Sequence, residues 1–278
     1  MVGPDVGGFL ESPNEELMAR WSAASVVFPF ARNHNAEGFP DQHPSKFKFL
    51  REHMARFIQQ RYMLTLHFYS RFISASTSKG TVVEPMFFHF PNDGTSYVFD
   101  HQIMIGSQLL AAPVVKEGVN QHELYLPETS LWFDFFTGVS VPNGVLSLTA
   151  PWERVFFCFG REPEKSLDEG KVNLFVGLNE EGGAEGVLLM DDGKSIGATP
   201  ATISCHVRDQ SITLSSKVGD DLGQKFTLNL LRISAVGSVT KVVVNGIDWF
   251  KWEIDNHVLL IDLENRFDLL SDLSVKYL

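Results

Sequence analysis

The chain has 278 residues, enough for two or three small domains with a substantial core. Its 34 acidic against 23 basic side chains give a net charge of −11, which argues against a nucleic-acid binder. Cys158 and Cys205 are too few and too far apart for a disulfide scaffold or a zinc site, and a single long-range disulfide is disfavoured. No run reaches the roughly 18–20 apolar residues of a membrane span, and the first residues lack the basic and apolar regions of a signal peptide.

The first thirty-five residues open MVGPDVGGF and return as VVFPFARNHN. Apolar segments 1–9 and 26–31 predict two short strands. Between them Ser12, Pro13 and Glu15 predict a helix start, with serine as the cap, proline in the first turn and glutamate three residues after the cap. Asp5 and His34 then fall at the strands' carboxyl ends, where barrel and open α/β enzymes place ligand-binding groups. A carboxylate accepts and an imidazole donates, so the pair suits a hydroxylated ligand. A structural role for Asp5 is the competing interpretation. Residues 35–45 predict a solvated loop from which Glu37, Asp41 and His43 are within reach of a ligand.

Phe47, Leu50, Met54, Phe57, Ile58, Tyr62, Leu66, Tyr69 and Ile73 recur at three and four, predicting one long amphipathic helix over 46–78, ended by Lys79-Gly80. Its aromatic face requires a covering sheet. Residues 81–90 and 103–115 predict strands around a turn at 91–94. Asp100 is expected to cap a turn, and His89 and His101 to be satisfied packing residues. Trp132 is expected in the core, and Gly160–Gly170 forms an altered polar edge. From 171 onward short strands alternate with glycine and aspartate turns, as in a sandwich. Asp191-Asp192-Gly193 reads as a tight turn and lacks the ligand pattern of a calcium loop. Asn245-Gly246 is a hairpin signal.

Several of these stretches together resemble glycoside hydrolase family 31, the family of α-glucosidases and α-xylosidases. GPDVGGF, RW at 20–21 and FPFARNHN are similar to its last two barrel strands, and 61–64 to its final barrel helix. PMFFHFPND, Asp100, Gln102, Gly106 and LLAAPVV are similar to the segment that enters its first carboxyl-terminal β domain, with 119–138 continuing the likeness. The GVLLMDDG segment resembles its distal sandwich. GPDVGGF and 186–193 look closest to plant and cyanobacterial-type members.

The resemblance implies α/β plus all-β architecture: the carboxyl-terminal end of a (β/α)8 barrel (strands 7–8 and final helices) over 1–79, a proximal β-sandwich over 80–160 and a distal one over 171–278. It implies that Asp5 and His34 line the subsite for the non-reducing sugar, with Arg32 and Phe9 beside them. No cofactor or metal is implied. The parent activity would be retaining, exo-acting release of α-linked glucose from maltooligosaccharide or another α-glucan. The family's nucleophile and acid/base lie on earlier barrel strands and match no residue here, so no catalytic residue is assigned. The chain is therefore expected to be a carboxyl-terminal fragment, inactive alone. Two alternatives stand: a carbohydrate-binding β-sandwich protein using Trp249 and Trp252, or a chain that complements a separate amino-terminal barrel half.

Overall fold

The computed structural model describes residues 2–78, 80–151, 171–217, 219–220, 222 and 225–278, and the strand backbones of 155–159 and 164–168. Lys79, most of the altered 160–170 edge and the Cys158 side chain lie outside the described residues.

Strand β1 (Asp5–Val6) pairs in parallel with β2 (Arg32–Asn33), Asp5 opposite Arg32 and Val6 opposite Asn33. Helix α1 (Glu15–Ala24) connects them, so the strand–helix–strand unit forms as expected. Its details differ. The cap is Asn14, whose side chain accepts from the Leu17 N–H at 2.8 Å, while Glu15 instead accepts from the Phe49 N–H at 2.6 Å. The apolar run Val26-Val27 is not a strand. It continues α1 as a single 3-10 turn over Ser25–Val27, and extended backbone resumes at Phe28. Arg61 explains why no ladder forms there: its Nη1 donates to the carbonyls of Ser25 (3.0 Å), Val26 (3.1 Å) and Phe28 (2.8 Å), which strand pairing would otherwise have to satisfy.

The expected long helix is two, α2 (Lys48–Met63) and α3 (Thr65–Ser78). The break falls at Leu64, with φ −89° and ψ 0°, where the Leu64 N–H reaches back three residues to Arg61. The burial pattern supplies the reason. Leu50, Phe57, Leu64 and Phe68 enter the barrel-end core, whereas Leu66 enters the distal core, and one straight stripe cannot serve both.

Residues 81–90 are only briefly extended, at Glu84–Pro85, before a helical turn over Met86–His89. A six-stranded sheet runs in the order 84–85, 103–105, 109–113, 155–159, 132–134, 140–141. Strand Leu109–Pro113 is buried throughout because each of its faces has a separate cover. Leu109 and Ala111, with Ile105, Phe133 and Phe135, meet the helices of the barrel end, which is the sheet their aromatic face requires. Leu110 and Ala112, with Met104 and Trp132, pack beneath the two-stranded sheet of Gln121–Leu126 and Gly144–Thr149. Trp132 is 1 % exposed, as expected of a core residue.

The distal sandwich stacks a five-stranded sheet (164–168, 171–177, 227–234, 258–268, 252–255) on a six-stranded one (184–190, 201–208, 211–217, 273–277, 242–244, 247–249). Strand Glu164–Asp168, from the polar run, pairs with Lys171–Gly177. Asn245-Gly246 closes a two-residue hairpin with both residues at positive φ. Buried Arg232 ties this sandwich to the proximal one. It donates to the Phe135 carbonyl and, at 2.8 Å, to that of Phe136, and lies 3.8 Å over the Phe175 ring.

Candidate functional site

The site grows from a tight backbone turn. The Gly8 N–H bonds the Asp5 carbonyl at 3.0 Å, and Gly7 and Gly8 have φ of 96° and 88°. A side chain at Gly7 would meet Met18 Sδ at 2.7 Å and Gln42 Nε2 at 3.0 Å, so glycine lets the strand end approach both α1 and the following loop. At Gly3 a Cβ would strike the Phe30 carbonyl oxygen at 1.8 Å, which keeps the two chain segments in direct backbone contact.

On this base the four expected residues form two pairs. Arg32 Nη2 donates to Asp5 Oδ1 at 2.6 Å and Nε to the same oxygen at 3.3 Å. The Asp5 side chain is 23 % exposed and Arg32 52 %, so the pair is a surface one and contributes only about 0–1 kcal/mol to stability. It orients more than it holds. Arg32 also lies 5.7 Å over the Phe30 ring. Phe9 and His34 stand with ring centroids 5.6 Å apart at 34°, and both are exposed. Asp5 and Arg32 are the first residues of β1 and β2, so Asp5 does not fall at the carboxyl end expected of it, while Phe9 and His34 follow the strands; a carboxylate, a guanidinium, an imidazole and an open aromatic face thus lie along the same two segments. These groups have the chemistry to exchange hydrogen bonds with hydroxyls and to offer an apolar surface to C–H bonds.

Gln42 was not anticipated. The loop 35–45 is not simply solvated: Gln42 is 4 % exposed, and its Nε2 donates to Val6 O (3.2 Å), Gly8 O (3.4 Å) and Asn33 Oδ1 (3.0 Å). Asn33 Nδ2 returns a bond to Gln42 O at 3.0 Å, and Ala36 N–H bonds Phe9 O at 2.8 Å. The loop therefore sets the spacing of both strand ends. A lone glutamine in a polar run carries no signal of this. Asp41 and His43 turn inward on the loop: Asp41 accepts from His43 N–H at 2.8 Å, and His43 Nδ1 from Ser45 N–H at 3.2 Å. Glu37 is exposed.

Other candidates separate from this cluster. Asp93, rather than Asp100, caps the entering turn, accepting from Thr95 N–H at 3.0 Å and Tyr125 Oη at 2.6 Å; Asp100 is almost fully exposed. His89 lies 2.5 Å from Glu84, and His101 Nε2 bonds Glu123 O at 3.2 Å, so both histidines are satisfied locally. Asp191 accepts from Tyr69 Oη and from Gly193 N–H at 2.8 Å. Asp192, at its side, is held down to about 2 by the Ser195 hydroxyl and the N–H groups of Ser195 and Lys194. Trp249 and Trp252 pack partly buried against the distal core, with Trp249 Nε1 donating to Asp262 O at 2.9 Å. Among the described residues no three His, Cys, Asp or Glu side chains gather to hold a metal ion, and no helix is long and apolar enough to cross a membrane.

The barrel end is anchored to the proximal sandwich through buried Arg20, which bonds Glu16 (2.8 Å), Val119 O (2.8 Å) and Val114 O (3.4 Å). The Gly118 N–H and then Arg20 hold the Glu16 carboxyl below the usual range.

Residues 1–71 match the family described as "Glycosyl hydrolases family 31 TIM-barrel domain", and residues 79–212 "Glycosyl hydrolase family 31 C-terminal domain". The chain belongs to glycosyl hydrolase family 31. It is 31 % identical over 207 residues to intestinal sucrase-isomaltase of Rattus norvegicus, covering 70 % of this chain and 11 % of that protein. To the alpha-glucosidase of Schizosaccharomyces pombe it is 30 % identical over 279 residues, covering 94 % and 29 %. Animal and fungal members thus match about equally, and these comparisons do not single out plant or cyanobacterial types. Its fold is that of the glucosidase II alpha subunit in its Tris-bound form, with TM-score 0.85 at 20 % identity over 99 % of this chain and 34 % of that one. The family 31 chain thus spans about a third or less of these relatives.

Proposed function

We propose that this chain supplies the terminal-sugar-holding end of a retaining, exo-acting α-glucosidase for maltooligosaccharide or another α-glucan, and does not hydrolyse glycosides alone. The observation that carries the proposal is the placement of two side-chain pairs on one strand–helix–strand unit, Asp5 with Arg32 on β1 and β2 and Phe9 with His34 just past them. Asp5 accepts from sugar hydroxyls, His34 donates to one, and Phe9 offers its face to the ring. Retaining hydrolysis needs two carboxylates about 5–5.5 Å apart, one attacking the anomeric carbon and one protonating the leaving oxygen. Asp93 is committed to Tyr125 and Thr95, and Asp41 to its own loop, which supports an assignment without a catalytic pair. The motifs GPDVGGF and 186–193 favour a plant or cyanobacterial-type parent. As working units we take 1–79, 80–160 and 171–278, with strand Glu164–Asp168 belonging to the third.

A half-site open to water binds weakly, since a hydrogen bond to a charged group contributes about 1.5–3 kcal/mol even when well formed. Calorimetry with glucose is expected to detect nothing tighter than about millimolar. Micromolar affinity abolished by Asp5→Ala would overturn the half-site.

A second mode follows from the barrel end itself. Among the described residues β1 and β2 pair only with each other, and Phe9, Leu10, Leu17 and Phe30 on this strand–helix–strand unit and Ile58 and Tyr62 on α2 are exposed. Such edges and apolar side chains suit docking of an amino-terminal barrel half. Mixing the chain with that half, expressed separately, should then restore activity that neither part has alone.

A further inference from the structure

Helix α3 runs between the barrel end and the distal sandwich, and beside Leu66, which enters the distal core, it carries a polar stripe. Positions 67, 70, 71 and 74, at helical spacing, are His, Ser, Arg and Ser. They line a cleft of about 410 Å³ whose far wall is the outward face of strands Ala184–Met190 and Ala201–Arg208. That volume lies in the usual range of small-molecule sites. The two walls are tied where Ser70 Oγ accepts from Leu189 N–H at 3.0 Å, and His67 Nε2 donates to Ile105 O at 2.6 Å, which fixes α3 to the proximal sheet. Ser107 and Gln108, on the turn after Ile105, close one side.

The chemistry of the lining selects its occupant. Arg71 has Glu84 at 4.0 Å, and Glu185 has Arg208 at 3.2 Å and His206 at 3.6 Å, so each charge already has a counter-charge. An added anion would meet Glu185, and an added cation Arg71. Hydroxyls of Ser74 and Ser204 both donate and accept, as do the hydroxyls of a polyol, and Val187, 52 % exposed, gives an apolar patch for C–H groups. We propose that this cleft between α3 and the distal sheet binds a neutral saccharide of one or two units. The site uses none of the barrel-end residues and does not rest on the function proposed for them.

The test is an amide-shift titration of isotopically labelled chain 1–278 with maltose, up to about 50 mM, a range matched to weak millimolar binding. Saturable shifts are expected at 70–74, 107–108, 185–187 and 204–206, unchanged in Asp5→Ala. Ser204→Trp, which fills the cleft from the strand side, should weaken them at least about tenfold. Ser107→Trp does the same from an exposed turn, so a folding defect in the first variant leaves the second decisive. Absence of shifts at these amides overturns the proposal, as does a stronger response of the same amides to inorganic phosphate. Shifts confined to residues 5–42 would refute the cleft while supporting the barrel-end site. Loss of all shifts in Asp5→Ala would likewise refute the cleft.

Discussion

Arg61→Leu removes the group that shapes the approach to the barrel-end site. One guanidinium nitrogen, Nη1, serves the carbonyls of Ser25, Val26 and Phe28 at 2.8–3.1 Å, and the guanidinium lies 5.7 Å from the Phe68 ring centroid. Two N–H bonds shared by three acceptors, at about 1.5–3 kcal/mol each for a charged donor, set an upper limit near 6 kcal/mol. Burial works against the charge, since it lowers the Arg61 pKa, and leucine regains some apolar packing. The net loss should be about 3 kcal/mol. It should appear locally, because the freed carbonyls lead straight into Arg32 and His34. Native-state amide exchange is the suitable assay, as several packed units need not unfold as one. Protection of amides 26–33 should fall about a hundredfold, at roughly 1.4 kcal/mol per factor of ten. Lysine, a single point donor, should recover less than half of it. A change below about 0.5 kcal/mol, roughly twofold in protection, would refute this account of why residues 25–28 form a turn rather than a strand.

Other expectations follow from groups at the seams. Arg232→Met should loosen the proximal–distal junction by about 2–4 kcal/mol, because it leaves the Phe135 and Phe136 carbonyls without their donor; differential scanning calorimetry should then show two transitions in place of a more unified one. Burial and the paired Asp191 and Asp93 push the Tyr69 and Tyr125 phenols up to about 12, so the folded state keeps protons that the unfolded chain releases near 10. Their contribution is complete below pH 10 and lost as pH rises toward 12; tyrosinate absorbance should show late-titrating phenols, two fewer in the double Phe variant. Burial, then His101, Lys116 and Arg20, push His122 down to about 4. The unfolded chain therefore binds the extra proton first, and stability should fall as pH drops from about 6.5 to 4, less steeply in His122→Phe.

Much of the fold was legible where the signal is local. Asn245-Gly246 needs only two positive-φ residues between strands, and the glycine and aspartate turns of the distal sandwich carry their own chemistry. The strand–helix–strand unit was legible in its apolar segments and helix-start residues, whereas the pairing of Asp5 with Arg32 carried no signal of its own. What escaped depends on partners distant in sequence. Nothing within 46–78 announces a break at Leu64, because the cause is that Leu66 and Phe68 enter different cores. Asn14 displaced Ser12 as the cap once Glu15 was taken by Phe49 N–H. Gln42 is indistinguishable from a solvated loop residue until Val6, Gly8 and Asn33 are placed around it.

We propose above that the chain holds sugar-binding groups of a family 31 enzyme without the means to break the glycosidic bond. In that proposal Asp5 and His34 orient hydroxyls, and neither supplies both attack on the anomeric carbon and protonation of the leaving oxygen. The direct measurement is nitrophenol release from the α-glucoside, and glucose release from maltose, by purified 1–278 against a heat-treated control. No turnover above the control is expected. Turnover of about 1 s⁻¹, within the ordinary range of enzymes and reduced by Asp5→Asn and His34→Ala, would contradict the proposal and reveal a nucleophile within the chain.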